Sequence, residues 1–374
     1  MQIYAYLCNL SNKAYNLVMK VSVVGASGYT GGELLRILLN HPKFKLDLVC
    51  ANTNKGEAIT KFHPSLQGLS ERNFDEVNIE KLNKSDLIFL ALPHGESGKL
   101  AKQISPKLKI VDLGADHRLD SAAAWQKYYS GEYSGSWFYS IPELVDHVQL
   151  KGETKVANPG CYATAISLAI APVLDLVDAN DLVTVAASGT TGAGRSAKME
   201  QLGSEVMNNL SSYKFGGLHQ HTPEIEQTLN KQLLGFKNTK SSSAIEKGVK
   251  VSFTPVLAPM PRGILATVTA KVNDAELNAS SSAELIEKFR SRFTNLYSAT
   301  PFVKILSNQA MPNTKSVLGT NNVHIQLAID AHTNRLVVSC AIDNLGKGAA
   351  GQAIQNANIM CGLPQDAGLN LVGF

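Results

Sequence analysis

The sequence predicts a two-domain protein of the α/β class, in which a doubly wound parallel sheet is followed by an α+β domain with a mixed sheet. The chain has 374 residues, which is about two or three times the length of a typical domain. From residue 20, short apolar runs alternate with helical spacing, as in βαβ units. After about residue 158, longer alternating runs favour an antiparallel or mixed sheet.

Four short apolar runs in the first half predict buried parallel strands: residues 20–24, 46–51, 87–92 and 109–113. A glycine-rich turn at 25–32 follows the first run and leads into a helical pattern over 33–39. Residues 99–104 predict a helix between the third and fourth strands. This order is typical of a doubly wound sheet, and we expect the first domain to cover residues 19–157.

The second domain is expected over 158–345 and begins with a long apolar helix over 162–177 and a strand over 182–187. Four longer runs predict further strands: residues 249–256, 264–272, 323–329 and 336–342. The turn-like residues 330–334 join the last two as a hairpin. Residues 237–247 predict an exposed loop, and residues 348–360 a final helix.

Composition and charge exclude several classes of protein. With 44% hydrophobic and 18% charged residues, the chain is neither disordered nor a coiled coil. The net charge of +4 is spread thinly, so nucleic acid is not an expected partner. Residues 163–177 are too interrupted to span a bilayer, so no membrane segment is expected. Residues 1–18 do not resemble a secretory signal and remain an uninterpreted extension.

The five cysteines stand far apart and form neither a disulfide framework nor a zinc motif. This spacing indicates a reducing compartment, and the cytoplasm is the expected location.

The turn after the first strand, residues 25–31 (GASGYTG), predicts a dinucleotide site. Its glycines allow a tight turn, and backbone N–H groups at the start of the next helix can hold a pyrophosphate. An ordinary strand-to-helix turn is the alternative. The tip of the second strand, residues 50–55, lacks the carboxylate that NAD sites place on the ribose, which favours NADP. We therefore expect the first domain to be a Rossmann-like nucleotide-binding domain.

Residues 158–164 (NPGCYAT) place Cys161 where a turn gives way to a helix. The helix dipole and unpaired N–H groups there are expected to lower the pKa of the thiol and to make Cys161 a nucleophile. The alternative is a small buried apolar residue, which is the interpretation we keep for the remaining cysteines: Cys8, Cys50, Cys340 and Cys361.

Residues 217–224 (GLHQHTPE) offer a proton carrier for such a nucleophile. A histidine exchanges protons near neutral pH, and a carboxylate such as Glu224 can fix its tautomer. A zinc site is the alternative, with four possible ligands: His219, His221, Glu224 and Cys161. Neither an HExxH motif nor a cysteine pair is present, so no metal is expected.

Two further segments follow strands, where ligands bind in α/β folds. Residues 188–195 (SGTTGAGR) provide small residues and Arg195 for an anionic group, or else form a flexible surface loop. Asp116 and Arg118 line a ligand cleft, or else form a purely structural ion pair.

Taken in order, these motifs resemble the N-acetyl-γ-glutamyl-phosphate reductase family, within the aspartate-semialdehyde dehydrogenase superfamily. The resemblance runs from about residue 20 to the C-terminus and rests on an ordered set of segments: residues 25–31, 91–95, 114–119, 141–144, 158–164 with Pro172, 191–195, 219–225 and 343–351. Members usually have Arg between the two histidines, where this chain has Gln220.

The resemblance implies an NADPH-dependent enzyme of arginine biosynthesis. Cys161 attacks an acyl phosphate, hydride reduces the resulting thioester, and His219 serves as acid and base. Glu224 orients the site or contacts the substrate. The superfamily further implies a homo-oligomer, a dimer or a tetramer, and a C-terminal segment, residues 346–374, that packs back on the nucleotide domain. The rivals are reduction of an acyl phosphate borne by a carrier protein, reduction of aspartyl phosphate, and a catalytically silent NADP-binding sensor.

Motifs and resemblance together predict two sets of binding residues. The cofactor set for NADPH or NADP is Gly25, Ser27, Gly28, Tyr29, Thr30, Gly31, Asn52, Thr53, Pro93, His94, Gly192 and Asn344. The set for a small acyl phosphate substrate is Arg118, Glu143, Asn158, Arg195, His221 and Glu224.

Overall fold

A computed structural model describes residues 18–196, 198–235, 248–307 and 309–373. The predicted loop over 237–247 lies outside the described residues, as does the extension up to residue 17. In the described part of the chain, the strands form a six-stranded and a seven-stranded sheet.

The first sheet is parallel throughout and has the order β2-β1-β3-β4-β6-β5. Its strands are β1 (Met19–Val24), β2 (Phe44–Cys50), β3 (Leu87–Leu90), β4 (Lys109–Asp112), β5 (Phe138–Tyr139) and β6 (Lys155–Ala157). Because β1 pairs with both β2 and β3, the strand order reverses beside β1, and ligands bind at such a point in doubly wound folds. The four predicted strands are all present, and the Rossmann-like fold is confirmed.

The helices of this half are short except for the first. They are α1 (Tyr29–Leu38), α2 (Ile59–Phe62), α3 (Ile79–Leu82), α4 (Ser97–Ala101), α5 (Ala122–Tyr128) and α6 (His147–Gly152). Helix α1 follows the glycine-rich turn and buries Leu34, Leu35 and Leu38 against the sheet. The start of α1 is thereby fixed over the carboxyl end of β1.

The second sheet is mixed, with the order β11-β12-β13-β10-β7-β9-β8. Its strands are β7 (Leu182–Ser188), β8 (Ser211–Ser212), β9 (Val251–Leu257), β10 (Ile264–Lys271), β11 (Val303–Ile305), β12 (Val323–Asp330) and β13 (Arg335–Ile342). The predicted hairpin is confirmed, because β12 and β13 pair antiparallel from Val323 and Ile342 to Asp330 and Arg335. The predicted mixed sheet is also confirmed.

The remaining helices are α7 (Cys161–Ile170), α8 (Gly203–Val206), α9 (His221–Gly235), α10 (Asp274–Ala279), α11 (Ser282–Tyr297) and α12 (Gly351–Met360). Helix α7 is shorter than the predicted 162–177, because a 3₁₀ turn that contains Pro172 follows Ile170. None of the helices in the described residues is long and apolar enough to cross a membrane.

Helices α7, α9 and α11 pack on one face of the second sheet and form a single apolar core with it. The opposite face carries the outward residues of β7, of which Val183 is 38% and Val185 49% exposed. Leu265 and Thr267 of β10 lie beside them in register with Ala187 and Val185. Within the described residues, one face of this sheet is therefore open.

The end of the chain returns to the first sheet. A π-helical turn, Gly346–Ala350, leads from the second sheet into α12. Ala353, Ile354, Ala357 and Met360 of α12 belong to the apolar core formed by the first sheet and α1. The chain thus crosses between the sheets a second time, next to the start of α7.

Candidate active site

Cys161 is the first residue of α7, where the chain passes from the first sheet to the second. Gly160 precedes it in an extended conformation (φ −69°, ψ 149°) and caps the helix without a side-chain hydrogen bond. The backbone N–H groups of Cys161 and Tyr162 at the start of the helix both act to lower the pKa of the thiol. Cys161 is partly exposed, whereas Cys50 and Cys340 are buried. A substrate can therefore reach this thiol but not those of the two buried cysteines.

Burial raises the pKa of the Cys161 thiol to about 11. The backbone N–H of Tyr162 and the charge of Arg118 lower this pKa, and the Glu224 carboxylate raises it, but desolvation is the largest effect. The prediction of a lowered pKa is therefore wrong, because the sequence shows that a helix starts here but not how deeply the thiol is packed. The thiol is protonated near neutral pH and loses its proton as it reacts.

His219 and His221 both pack around Tyr162, the residue after Cys161. The ring centroid of Tyr162 lies 5.3 Å from that of His219 and 5.9 Å from that of His221. The backbone N–H of His221 donates to Nδ1 of His219 at 3.0 Å, which assigns the proton of the neutral ring to Nε2. Burial lowers the pKa of His219 to about 2, and the nearby charges of His221 and Lys214 add to this effect. Neutral His219 therefore presents an Nε2–H donor.

His221 begins α9, and its ring packs on Gly160. A β-carbon at position 160 would lie 2.3 Å from Nε2 of His221, so glycine is required for this contact. Burial lowers the pKa of His221 well below its usual range. Its Nδ1 is buried and has no hydrogen-bond partner in the described part of the chain. A buried polar atom without a partner, lying beside the nucleophile, can form its hydrogen bond with a substrate.

Glu224 lies one turn into α9, is completely buried, and holds the turn that precedes Cys161. Its Oε2 accepts hydrogen bonds from the backbone N–H of Gly160 at 2.9 Å and from the Tyr139 hydroxyl at 3.0 Å. Its Oε1 accepts a bond of 3.1 Å from Nη1 of Arg118. Because these contacts are all internal, the geometry favours an orienting role for Glu224. Over residues 18–196, 198–235, 248–307 and 309–373, no three His, Cys, Asp or Glu side chains converge as a metal site.

Arg118 and His94 lie on the side of the site that the first sheet provides. Nη2 of Arg118 donates to the carbonyl oxygen of Leu113 at 2.7 Å, and its Nε is buried with no partner among the described residues. The His94 ring is exposed and contacts Tyr129 edge-on, with centroids 5.1 Å apart. Desolvation of the part of His94 that packs against the protein, and then the charge of Arg118, lower the pKa of His94. Arg118 and His94 thus lie close enough for the charge of the arginine to act on the imidazole.

The predicted dinucleotide turn, residues 25–31, lies between β1 and α1. Gly25 has φ +85°, and a β-carbon there would lie 2.2 Å from the carbonyl oxygen of Ala91. Gly28 caps α1 with no side-chain hydrogen bond, so no capping side chain competes for the first N–H groups of the helix. Ser27 Oγ accepts a bond of 3.1 Å from Asn54, just beyond β2. The turn thus has the form that binds a pyrophosphate.

Other residues of the predicted cofactor set surround this turn. Asn52 and Thr53 follow the carboxyl end of β2, and Pro93 and His94 follow that of β3; all four are exposed. Tyr29 is also exposed. Since β2 and β3 flank β1, these residues border the same crevice.

Arg195 lies beside the dinucleotide turn rather than with Cys161. Its guanidinium is 4.8 Å from the centroid of the Tyr29 ring, and Nη1 donates to the carbonyl oxygen of Phe62 at 2.8 Å. The sequence predicted a contact with the substrate. The position of Arg195 over Tyr29 instead favours an anionic group of the cofactor.

Three residues meet beyond the ends of two interior strands of the second sheet: Thr191 and Gly192 after β7, and Asn344 after β13. Asn344 donates from Nδ2 to Thr191 Oγ1 at 3.0 Å and accepts from the backbone N–H of Gly263 at 2.8 Å. A β-carbon at Gly192 would lie 3.8 Å from Nδ2 of Asn344. Gly192 itself is exposed. The two predicted cofactor residues are therefore neighbours.

Glu143 and Asn158, both predicted to bind substrate, are engaged inside the protein. Glu143 pairs with Lys347 at 2.7 Å, and both side chains are 0% exposed. Asn158 donates to the carbonyl oxygen of Ala349 at 3.2 Å and accepts from Asn356 at 3.1 Å. The structure does not turn these two side chains toward the thiol, because both hold the segment that follows β13.

Comparisons with known proteins agree with this geometry. The model of the semialdehyde dehydrogenase NAD binding domain matches residues 20–151, and that of the semialdehyde dehydrogenase dimerisation domain matches residues 161–344. The N-acetyl-gamma-glutamyl-phosphate reductase of Pseudarthrobacter chlorophenolicus is 46% identical over 96% of this chain and 99% of its own. That of Acidothermus cellulolyticus is 47% identical over 95% and 98%. This chain belongs to the N-acetyl-γ-glutamyl-phosphate reductase family.

Solved structures with the same fold are aspartate semialdehyde dehydrogenases. The Candida albicans protein with NADP has a TM-score of 0.65 at 15% identity and covers 92% of this chain and 98% of its own. Aspartate semialdehyde dehydrogenase II of Vibrio cholerae complexed with ASA has a TM-score of 0.63 at 14% identity, with the same coverage. At this identity, the likeness shows that the fold is shared.

One cation near the histidines was missed by sequence reasoning. In this member of the N-acetyl-γ-glutamyl-phosphate reductase family, Lys214 donates to Oε1 of Gln220 at 2.8 Å. No carboxylate among the described residues pairs with Lys214. Its φ is +42°, which is unusual for a residue other than glycine. Its nearness in sequence to two glycines and to the histidine motif was the available signal.

Proposed function

We propose that this chain catalyses the NADPH-dependent reduction of N-acetyl-γ-glutamyl phosphate to N-acetylglutamate 5-semialdehyde, a step of arginine biosynthesis. The observation that carries the proposal is the position of Cys161 at the start of α7, with His219 and His221 packed around the next residue. Relatives at 46% and 47% identity bear the name of this activity. A thiol, a proton donor and a dinucleotide turn are the components that such a reduction needs.

The residues of the dinucleotide turn fit a nicotinamide cofactor. The N–H groups at the start of α1 suit the pyrophosphate, since Gly28 leaves them without a side-chain cap. Neutral Asn52 and Thr53 after β2 suit the 2′-phosphate of NADPH, and Arg195 over Tyr29 adds a cation on the same side. When bound, NADPH supplies the hydride that reduces the acyl carbon.

The first chemical step forms a thioester on Cys161. The sulfur attacks the acyl carbon, an S–C bond forms, and the bond from that carbon to the phosphate oxygen breaks. A thiol and an acyl phosphate dianion give a thioester and hydrogenphosphate, so the thiol proton departs with the leaving group. This balance suits a thiol whose pKa is raised, because no free thiolate has to accumulate beforehand.

His219 serves the second step as a proton donor. After reduction of the thioester, the acyl oxygen carries a negative charge, and the Nε2–H of neutral His219 can donate to it. His219 recovers this proton when the thiohemiacetal collapses to the aldehyde and the Cys161 thiolate, and the thiolate then takes a proton from water to regenerate the thiol. Glu224 holds the backbone N–H of Gly160 and so orients the turn that carries the nucleophile.

Two cations near the candidate site are proposed to supply the anion sites for the substrate: the charge of Arg118 acts on Cys161, and that of Lys214 acts on the two histidines. Arg118 has a buried Nε without a partner among the described residues, and Lys214 has no carboxylate partner there. The substrate carries a phosphate and a carboxylate, and charge-assisted hydrogen bonds to such groups are strong. We assign Arg118, His94, His221 and Lys214 to these contacts.

The chain is proposed to divide at residues 157 and 345, with 346–374 completing the nucleotide domain. The packing of α12 on the first sheet supports this division. A homo-oligomer is proposed through the open face of the second sheet, where Val183 and Val185 are exposed and a dimerisation domain matches. The described cysteines are free thiols, which supports a cytoplasmic location.

The test follows the reverse reaction with purified protein, NADP, phosphate and N-acetylglutamate semialdehyde, and reads the near-ultraviolet absorbance of NADPH. Phosphate-dependent formation of NADPH is expected, with much less activity on aspartate semialdehyde. Cys161→Ser is expected to abolish turnover and to leave NADPH binding, measured by fluorescence, nearly unchanged, because the dinucleotide turn lies on another element.

Two outcomes would contradict the proposal. Turnover retained in Cys161→Ser would remove the thioester from the mechanism. A preference for aspartate semialdehyde would assign the other substrate of the superfamily.

A further inference from the structure

A completely buried ion pair lies beside the π-helical turn Gly346–Ala350. Nζ of Lys347 is 2.7 Å from both carboxylate oxygens of Glu143, and both side chains are 0% exposed. Gln355 of α12 accepts from Lys347 at 2.7 Å and donates to Glu143 at 2.9 Å. Apolar side chains of the same volume often stabilise a core as well as such a pair does. Stability alone therefore does not account for the pair.

The residue after Lys347 packs on the nucleophile. A β-carbon at Gly348 would lie 2.7 Å from Cβ of Cys161 and 3.3 Å from its Cα, so the bare backbone of the turn packs directly against the base of this side chain. The backbone N–H of Ala350 donates to the carbonyl oxygen of Leu345 at 2.9 Å, which is the i to i−5 bond of a π-helix. Such turns are rare and are frequently found at functional sites. The surroundings of the thiol depend on the shape of this turn.

The π-helical turn is held at its start, its end and its middle. Asp343 accepts from the backbone N–H groups of Leu345 and Gly346 at 2.9 and 3.1 Å. Near the end, Asn158 donates to the carbonyl oxygen of Ala349. In the middle, Lys347 is joined to Glu143, which lies in the turn Pro142–Leu144 after β5. The ion pair thus ties the centre of the turn to the first sheet.

We propose that the Glu143–Lys347 pair positions the nucleophile: it holds the π-helical turn so that Gly348 stays against Cys161 and the thiol keeps one orientation. This inference rests on the proposed role of Cys161. Neither side chain of the pair touches the reacting atoms, so both are positioning residues that act through the backbone of the turn. Glu143 thereby has a function other than the predicted contact with substrate.

The test replaces both charges at once, in the double variant Glu143→Leu with Lys347→Met. Apolar replacement of a buried pair usually preserves stability, so a melting temperature near that of the wild type is expected. A small displacement of the thiol is expected to lower kcat by roughly a hundredfold, with KM for NADPH little changed. A merely structural pair would leave both constants at their wild-type values.

Alkylation by iodoacetamide, followed by peptide mass spectrometry, reports the thiol directly. In the double variant Cys161 is expected to react faster than in the wild type, because Gly348 no longer holds its side chain in one orientation. The buried Cys50 and Cys340 are the internal control, since they stay protected unless the whole protein unfolds. Either a wild-type kcat or a wild-type alkylation rate of Cys161 in the double variant would overturn the proposal.

Should the double variant fail to fold, Gly348→Ala tests the same contact with the ion pair intact. The added methyl group is expected to displace Cys161 and to lower kcat by a similar factor. Gly235→Ala is the matched control, because at the end of α9 the new carbon meets no heavy atom within 4 Å among the described residues, apart from its chain neighbours and the backbone of its own helix. Wild-type kcat in Gly348→Ala would also overturn the proposal.

Failure of the proposed function remains distinguishable from failure of this inference. Alkylation needs no turnover, so it reports the position of Cys161 whatever the enzyme reduces. Active Cys161→Ser would refute the nucleophile, whereas an unchanged alkylation rate in the double variant refutes only the positioning pair.

Discussion

Packing around Cys161 and the start of α7 shift the pKa of the thiol in opposite directions. The backbone N–H of Tyr162 stabilises the thiolate, while burial raises the pKa to about 11. A residue in this position is protected from adventitious oxidation, since thiolate is the reactive form. His219 provides a proton donor near this thiol, because burial keeps the imidazole ring neutral with its proton on Nε2.

Buried His219 makes stability depend on pH. Its pKa is lowered from 6.5 to about 2 in the folded chain, so between these values the unfolded chain binds a proton that the folded chain does not. Its contribution to stability is complete above the unfolded pKa and is lost as the pH falls below it. Between pH 7 and pH 5 this costs about 2 kcal/mol. Urea unfolding measures the loss of unfolding free energy between pH 7 and pH 5. For His219→Gln this loss is expected to be smaller than for the wild type by that amount.

The exposed His332, in the hairpin between β12 and β13, provides the control. His332→Gln is expected to keep the acid sensitivity of the wild type. If His219→Gln and the wild type lose the same unfolding free energy between pH 7 and pH 5, His219 is not both buried and neutral.

Substitutions of Lys214 test whether this residue contributes to the anion site for the substrate. Lys214→Met is expected to raise KM for phosphate in the reverse reaction about tenfold, the value of one charge-assisted hydrogen bond. KM for NADP and the melting temperature should change little, because Lys214 is exposed and pairs with no carboxylate in the described part of the chain. Lys214→Arg is expected to restore most of the affinity.

Lys231, which pairs with Asp120 on the exposed side of α9, is the matched control for a lost surface charge. If Lys231→Met and Lys214→Met have the same effect on KM for phosphate, Lys214 does not contact the substrate.

At the scale of elements, the local pattern of the sequence predicted β1 to β4, the hairpin and the start of α7. It missed β5 and β6, which have only two and three residues and too little periodicity to detect. The predicted end of α7 was wrong because Pro172 lies in a separate 3₁₀ turn. Contacts such as Glu224 with Arg118 join residues 106 positions apart, and no local pattern encodes them.

An ionic link joins α1 to the segment after β13. Arg262 pairs with Glu33 at 2.8 Å and with Asp343 at 2.9 Å, and both carboxylates are buried. Arg262→Met leaves two buried charges without this partner and is expected to cost about 3 kcal/mol of unfolding free energy. Urea denaturation measures this loss.

Lys288→Met, which breaks the more exposed pair with Glu276, is the control and is expected to cost less than about 1 kcal/mol. A loss of the same size in both variants would mean that the buried link contributes no more than a surface pair.

At the scale of the whole molecule, the open face of the second sheet is the feature that a single chain does not explain. Valine side chains on a central strand stand uncovered, while the opposite face packs on three helices. Exposed apolar faces of this kind mark contacts between proteins. The match to a dimerisation domain supports a second copy as the partner.

Val185→Lys places a charge in the middle of this face and is expected to shift the protein to monomers in sedimentation, since an unpaired charge is costly in an apolar interface. Val148→Lys, on α6 at a position 81% exposed, should leave the assembly intact. An unchanged sedimentation coefficient for Val185→Lys would place the interface elsewhere.

The return of α12 to the first sheet governs how the chain acquires its structure during synthesis. Strand β1 leaves the ribosome before the second sheet, yet its core lacks Ile354, Ala357 and Met360 until α12 has emerged. The nucleotide-binding half therefore completes its folding only after the second sheet and α12 have been synthesised, although domains generally fold in order from the N-terminus. Such distant pairing slows folding. Chains that stop early would present an unfinished apolar surface to chaperones and proteases.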